Sequence, residues 1–290
     1  MNQNFSIVVP CYNEQDAIAQ TIEAIRNALP DKNSYELIFV NDGSTDETGL
    51  VLETELKKDG NFRIVTHNKN RGYGAALKTG IRLAQADLIA ITDADGTYPS
   101  ERIGDLVEAI KDADMVIGSR TGESVLYPLH RRFPKAFLCR YANWVTGTNI
   151  PDLNSGQRVF RKEQIKRFMR FLPDTFSFTS TITIAFLTNN LTVKYIPINY
   201  NDRIGKSKIS PIRDTLRLIQ LLVRTGMYFS PIKVFSPVVG FLALSFLISL
   251  SYDIFLIKNL TDKTVMLLLF TLNSGMFTLL ADMIDKRSER

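Results

Sequence analysis

The stretch Asp87–Ser100, DLIAITDADGTYPS, decides the fold. Leu88, Ile89, Ala90 and Ile91 form an apolar run that is short for a helix and right for a buried strand. The strand delivers Asp93 and Asp95 into a turn marked by Gly96 and Pro99. Carboxylates one residue apart at a strand end can both reach a hard divalent cation, because Mg²⁺ and Mn²⁺ take oxygen ligands and share them with substrate phosphates. Taken alone, Asp-Ala-Asp-Gly reads equally well as a solvated turn.

The residues before it repeat one pattern. A β-branched run over 5–10 stops at Pro10 and leads through Cys11, Tyr12, Asn13 and Glu14 into a helix over about 16–29. A second strand over 36–40 ends in Asn41 and Asp42, where Ser44 or Thr45 is placed to cap a helix running to about Lys58. A third strand over 62–66 leads through Asn70, Arg71, Gly72, Tyr73 and Gly74 into a helix over 75–85. Four strands each followed by a helix imply a mostly parallel sheet, and ligands of open α/β sheets bind at the carboxyl edge. Glu14, Asp42, Asp93 and Asp95 all fall on that edge. The Gly-Tyr-Gly turn resembles the start of a dinucleotide fingerprint, but Leu77 stands where the third small residue belongs, which argues against a nicotinamide enzyme.

Composition sets the broader frame. The chain has 290 residues, 45% of them hydrophobic, enough for a catalytic domain and an appendage. No charge interrupts 234–252 or 264–281, and each approaches the roughly 20 apolar residues that span a bilayer, so a two-helix transmembrane hairpin is expected. Arg213, Arg217, Arg224 and Lys233 precede the first span, and Lys286, Arg287 and Arg290 follow the second, which places both termini and the catalytic part in the cytoplasm. The opening MNQNFSIVVP lacks the basic and apolar parts of a signal peptide. Two cysteines, Cys11 and Cys139, make no disulfide framework and fit a reduced compartment. The net charge of +5 lies largely near the apolar spans, so anionic lipid is a simpler partner than nucleic acid.

Farther on, a short strand over 115–118 is followed by Ser119 and Arg120, and 131–144 reads as a helix with a basic solvated face. The loop Asp152, Leu153, Asn154, Ser155, Gly156, Gln157 and Arg158 leads into a strand around Val159. An acid, a small turn and an arginine arranged in this way can set one carboxylate near a metal and one guanidinium near a phosphate. A basic loop with Arg203, Lys206 and Lys208 precedes a helix over 211–227. There Arg213, Arg217 and Arg224 fall on one side, opposite Ile212, Leu216, Ile219 and Val223, the pattern of an interfacial amphipathic helix. Three parts follow: a catalytic domain over 1–210, an interfacial helix and linker over 211–233, and the hairpin with a short tail over 234–290.

Seven motifs in this order, VPCYNE (9–14), NDGSTD (41–46), NRGYGAA (70–76), DAD (93–95), GSR (118–120), DLNSGQR (152–158) and RIGKSK (203–208), resemble the inverting family 2 glycosyltransferases, and more narrowly the polyprenyl-phosphate glycosyltransferases related to dolichyl-phosphate mannose synthase. The resemblance implies an α/β fold of GT-A type, a Rossmann-like nucleotide-sugar transferase domain. It implies that Pro10, Tyr12, Glu14, Asp42, Asp93 and Ala94 hold the nucleotide sugar and that Arg120 meets a phosphate. Asp95 and Asp152 would serve at the reacting end and, with Asp93, hold Mg²⁺ or Mn²⁺. Arg203, Lys206, Lys208 and Arg158 would hold the acceptor phosphate. Where the mannose synthases carry Gln two positions after the second Asp, this chain has Thr97. The Gln-x-x-Arg-Trp pattern of processive synthases is missing, since Gln157 and Arg158 lead to Val159 and Phe160.

The expected activity is metal-dependent, inverting transfer of one hexose from a nucleotide diphosphate sugar, UDP-linked by preference, to polyprenyl phosphate at the cytoplasmic membrane face, as in cell-envelope glycosylation. A GDP-mannose donor, a different lipid or a protein acceptor, and a catalytically silent nucleotide-sugar sensor are the rivals. A sensor should lack one of the carboxylates, and none is missing. Assembly into a homo-oligomer stays open.

Overall fold

The computed structural model describes residues 4–31, 33–58, 62–122, 129–202, 223, 225–228 and 230–288. The basic loop carrying Arg203, Lys206 and Lys208 and most of the expected interfacial helix lie outside them. The strands are β1 (Phe5–Cys11), β2 (Tyr35–Asn41), β3 (Arg63–Thr66), β4 (Leu88–Ile91), β5 (Met115–Ser119), β6 (Arg158–Arg161) and β7 (Val193–Pro197). Helices α1 (Ile18–Ala28), α2 (Thr48–Lys58), α3 (Tyr73–Leu83) and α4 (Ile103–Ala109) follow the first four strands. They are succeeded by α5 (Leu129–Thr146), α6 (Lys162–Phe168), α7 (Phe178–Thr188), α8 (Pro231–Tyr252) and α9 (Asp262–Ser288).

The strands form one sheet in the order β3-β2-β1-β4-β6-β5-β7. β6 is antiparallel to both of its neighbours, β4 and β5, whereas the other pairings are parallel. Val, Ile and Phe fill β1 and β2 on both faces because helices cover both sides of the sheet. On one face Ile18, Ile22 and Ile25 of α1, Leu52 of α2 and Leu106 of α4 pack with Ile7, Val9 and Phe39. On the other, Leu77 and Ile81 of α3, Ile165 and Phe168 of α6, and Phe178, Ile182 and Phe186 of α7 pack with Val8, Ile38 and Ile117. A smaller cluster joins Leu138, Ala142 and Val145 of α5 to Ile184 of α7, with Val234 of α8 against it, and Lys233 Nζ donates to the Val145 carbonyl at 2.7 Å.

α8 with the π-helical turn after it, and α9, are long and apolar enough to cross a membrane by length and composition: 27 residues over Pro231–Ile257 and 23 over Asp262–Ile284. They pair as a hairpin. Its tip is closed by Asp253, whose Oδ2 accepts from the Thr261 N–H and hydroxyl, each at 2.8 Å, and by a 2.7 Å contact between the Ser249 and Thr264 hydroxyls. Phe241, Phe255 and Phe277 point outward and are at least 69% exposed, which fits a lipid surrounding rather than a protein core.

The sequence expectations need two corrections here. The helix after β2 starts at Thr48 and is capped by Asp46, not by Ser44 or Thr45: Asp46 Oδ1 accepts from the Thr48 N–H at 3.0 Å and its hydroxyl at 2.6 Å. Arg158 does not reach toward an acceptor phosphate. It is fully buried, and its guanidinium donates to the carbonyl of Ser155, to the Thr179 carbonyl and Thr183 Oγ1 of α7, each of the latter two at 3.0 Å, and lies 3.8 Å from Met115 Sδ. Burial pushes the guanidinium pKa down, and these acceptors hold the cation in place. Replacing Arg158 with Met is expected to leave the buried Ser155 carbonyl without its donor, at about 1–3 kcal/mol, while the Thr179 carbonyl keeps the Thr183 hydroxyl at 2.8 Å. The thermal midpoint of the detergent-solubilised chain should fall by roughly 5 °C or more; an unchanged midpoint would mean that water reaches that carbonyl.

Candidate active site

The carboxyl ends of β1 to β4 converge on one edge, and each loop there is held by its neighbour. After β1, Asn13 adopts a left-handed conformation (φ 53°). Its N–H donates to Ser44 Oγ at 3.0 Å and its Oδ1 accepts from the Thr45 N–H at 2.8 Å. The Glu14 N–H donates to Thr48 Oγ1 at 2.8 Å. These bonds fix the turn that carries Tyr12 and Glu14, both half-buried, at the edge above β2. Pro10 is buried inside β1, paired with Val40.

Asp42 is held by three donors from the neighbouring loop and strand end. It is 3% exposed; its Oδ1 accepts from the Arg71 N–H at 2.9 Å and its Oδ2 from the Gly72 N–H at 2.7 Å. His67, just past β3, places Nδ1 2.7 Å from Asp42 Oδ1 and Nε2 3.0 Å from Thr79 Oγ1 on α3. A carboxylate only accepts, so Nδ1 carries the proton. Gly72 is required where it stands: its φ is 103°, and a Cβ there would collide with the Asp174 carbonyl. The three donors fix the orientation of the Asp42 carboxylate.

Asp93 and Asp95 emerge from β4 as its sequence implies. Tyr73, at the start of α3, donates its phenol to Asp93 Oδ1 at 2.8 Å; burial, reinforced by the Asp93 charge, pushes the phenol pKa well up and keeps it a donor. A Cβ on Gly156 would come within 2.8 Å of the Asp93 carboxylate, so only glycine lets the 152–158 loop pass this close. Asp95 is buried and its Oδ1 accepts from the Thr97 hydroxyl at 2.6 Å and N–H at 3.2 Å. Thr97, the departure from the mannose-synthase pattern, therefore fixes the second carboxylate. Tyr98 and Pro99 clamp the far loop, the Tyr98 hydroxyl accepting from the Gly156 N–H at 2.6 Å and the Pro99 carbonyl from Gln157 Nε2 at 2.9 Å.

Arg120 follows β5 and lies on Asp152 as a fork. Its Nε and backbone N–H donate to Oδ2 at 2.7 and 3.0 Å, its Nη2 to Oδ1 at 2.9 Å, and the Asn154 N–H adds a fourth bond at 3.2 Å. Its guanidinium also sits 5.2 Å from the ring of Tyr200. Asp152 has no exposed surface. Asp152, expected in the metal shell, is thus bonded by Arg120 and the Asn154 N–H. Among the described residues no group of three His, Cys, Asp or Glu side chains assembles as a metal site. Ala94 is corrected, because its side chain lies in the core and its carbonyl accepts from Thr21 Oγ1 at 2.9 Å. His67, Tyr73 and Tyr98 are the residues sequence reasoning passes over. His67 stands one residue beyond a parallel strand on the edge that carries Asp42, which is the signal that could have flagged it.

Solved structures share this GT-A-type mixed sheet. Glucosyl-3-phosphoglycerate synthase from Mycobacterium tuberculosis, crystallised with Mg²⁺ and uridine diphosphate, aligns with a TM-score of 0.60 over 77% of this chain and 79% of that one, at 15% identity. The chain belongs to glycosyl transferase family 2, whose sequence model matches residues 6–168, and is a glycosyltransferase. The low-salt glycan biosynthesis hexosyltransferase Agl6 of Haloferax volcanii is 32% identical over 247 residues, 82% of this chain but 58% of the relative's length. An undecaprenyl-phosphate mannosyltransferase of Micrococcus luteus is 27% identical over 212 residues (70% of this chain, 86% of the relative). A polyprenol monophosphomannose synthase of Mycolicibacterium smegmatis is 28% identical over 220 residues (72% and 82%).

The Asp42 cradle yields a direct test. Replacing His67 with Leu removes one of three donors to this buried carboxylate, and the thermal midpoint of the detergent-solubilised chain is expected to fall by roughly 2 °C or more. An unchanged midpoint would mean that the Arg71 and Gly72 N–H groups suffice.

Proposed function

We propose that this glycosyltransferase moves a single hexose, with inversion, from a UDP-linked sugar to the phosphate of a membrane polyprenol at the cytoplasmic face. The observation that carries this is the gathering of Asp42, Asp93, Asp95 and the Arg120–Asp152 pair along one sheet edge, in a chain whose α8 and α9 are long and apolar enough to cross a bilayer. The lipid-phosphate acceptors named for the Micrococcus and Mycolicibacterium relatives support the same reading. We divide the chain into a catalytic part over 1–210, an interfacial segment over 211–233 and a membrane hairpin over 234–290, with both termini cytoplasmic.

In this scheme Tyr12, Glu14 and Asp42 receive the nucleotide, with Asp42 oriented by Arg71, Gly72 and His67. Asp93 and Asp95 offer hard oxygen donors, one residue apart and each fixed by a hydroxyl, which fits Mg²⁺ or Mn²⁺ taking the rest of its shell from a diphosphate. Such an ion, when bound, neutralises charge on the leaving nucleoside diphosphate. An oxygen of the acceptor phosphate attacks the anomeric carbon from the face opposite the leaving group. The bond from that carbon to the donor's β-phosphate oxygen breaks, and the pair of electrons leaves with UDP. A phosphate monoester with a second pKa near about 6 is largely ionised already, so no strong base is needed. Asp152 acts instead by holding Arg120 so that its outer edge and the Tyr200 ring frame the space beside Asp93 and Asp95.

Thr97 separates this chain from the Gln pattern of mannose synthases and favours UDP over GDP-mannose, although both named relatives are mannosyl transferases. A panel of labelled UDP- and GDP-sugars incubated with membranes and polyprenyl phosphate decides the point. Product from GDP-mannose alone would overturn the UDP assignment.

Two outcomes follow for variants. Asp95→Asn is expected to lose most of the Mg²⁺- or Mn²⁺-supported turnover while still folding, since an amide lacks the charge that offsets the diphosphate; full turnover in excess chelator would refute metal dependence. Neutralising Arg203 or Lys208 should raise the apparent KM for polyprenyl phosphate and lower kcat/KM for the lipid by about tenfold to a hundredfold, with little change in UDP binding measured without lipid. Unchanged acceptor kinetics would remove this loop from acceptor binding.

A further inference from the structure

Behind the Asp42 cradle, between α3 and the segment that follows α6, lies a cavity of about 230 Å³. Its wall carries four cations, Arg71, Lys78, Arg82 and Arg170, against one carboxylate, Asp174. Asp174 is itself held by Lys78, whose Nζ reaches Asp174 Oδ1 at 2.7 Å and the Leu172 carbonyl at 2.5 Å. The Asp174 carbonyl accepts from the Ala75 N–H at 3.1 Å, so the 172–174 segment is pinned to the start of α3 and the cavity has a fixed floor. Lys78 and Arg82 stand four residues apart on one helix face, where like charges repel and destabilise the helix slightly. Cations gathered against that repulsion mark a place for an anion. The volume is below the roughly 300–1,000 Å³ of pockets that enclose drug-sized ligands, which suits a phosphate group and its nearest carbons better than a nucleotide.

The position of the cavity indicates which phosphate. The Arg170 guanidinium lies 4.4 Å from the ring of Phe171, and that ring is 4.5 Å from the ring of Tyr228. Tyr228 precedes by three residues the start of α8 at Pro231, a distance the chain can span in no more than about 11 Å. The cavity rim is thus coupled by stacked side chains to the point where the chain meets the first apolar helix. The polar headgroup layer flanking a bilayer core is about 5–7 Å deep, within reach of the long arginine side chains at the rim. We propose that this cavity docks the phosphate of an anionic membrane lipid and so fixes the catalytic domain against the bilayer. Arginine forks suit this task because a planar guanidinium grips a phosphate bidentately, whereas the zwitterionic headgroup brings a positive charge to a wall that is already positive.

The test uses the full chain in detergent, titrated with monomeric short-chain phosphatidylglycerol and, separately, with phosphatidylcholine, and read by native mass spectrometry and calorimetry. Saturable binding of phosphatidylglycerol, weakened at least about tenfold by Arg82→Gln with Arg170→Gln and untouched by Lys111→Gln on a distant exposed site, is the expected result. Should the double variant not fold, Arg82→Gln alone carries the comparison, since Arg82 is exposed and its loss leaves the packed face of α3 intact. Equal binding of the two lipids, or unchanged affinity in the variant, would overturn the proposal. Inorganic phosphate competing at the same concentration as phosphatidylglycerol would reassign the cavity to a free anion. Polyprenyl phosphate binding there more tightly than phosphatidylglycerol would reassign it to the acceptor; either result refutes membrane docking.

Discussion

The buried Arg158 guanidinium is the constraint on which the site depends. Removing an arginine from water is costly unless every donor finds an acceptor. Here the acceptors come from three separate pieces of the chain: Ser155 in the loop before β6, Thr179 and Thr183 in α7, and Met115 in β5. Satisfying the cation therefore ties the 152–158 loop to α7 and to the sheet. With that loop fixed, Gly156 can lie against the Asp93 carboxylate and give its N–H to Tyr98, and Asp152 can meet Arg120 beyond β5. The antiparallel insertion of β6 between β4 and β5 makes this possible, because it brings a loop from far along the chain to the carboxyl edge of the parallel strands.

A consequence is that acids at this edge are held by donors of different kinds. Asp42 is held by backbone N–H groups and a histidine, Asp93 by a phenol, Asp95 by a threonine, and Asp152 by an arginine. Among these described donors only the last is a permanent cation. In the reaction proposed above these acids would face a nucleoside diphosphate, and like charges a few ångströms apart repel strongly in a partly desolvated cleft. A divalent cation held by Asp93 and Asp95 would remove that conflict, whereas the Arg120–Asp152 pair brings its own opposite charge and can serve as a shaped wall.

The parallel strands and their acidic turns are legible because apolar runs of four to seven residues ending in Asn, Asp and Gly have few other readings. Glu14, Asp42, Asp93 and Asp95 come from sequence for that reason. Helix α7 and strand β7 escape it. FTSTITIAFLT alternates β-branched residues and threonines with no helical polarity, and it is helical only because α7 is buried nearly all round, with its hydroxyls returned to carbonyls one turn earlier. The roles of Arg158 and Asp152 escape it too. Both are charged residues in a polar loop, and a sequence carries no sign of which charges will be closed off by partners 20 or 30 positions away. The fold's hidden pairings decide those two roles, and the local composition does not.

Membrane attachment and catalysis also place different demands on one body. In the proposed setting two apolar helices would hold the chain to a bilayer, and among the described residues α8 meets the catalytic part through Lys233 at Val145 and Val234 against the α5–α7 cluster, contacts at one end that would leave the domain free to tilt. Charge can set that tilt only at short range, since salt screens fields beyond about 8–10 Å. A general surplus of positive charge would therefore attract the domain without orienting it. Orientation needs cations that sit at the headgroup layer itself and are fixed to the fold, and in the docking proposed above the α3 cavity rim, stacked through Phe171 onto Tyr228, would supply them. Seated by these cations as proposed, the domain would hold its acidic edge at a defined height above the lipid, which transfer to a membrane-embedded phosphate would require.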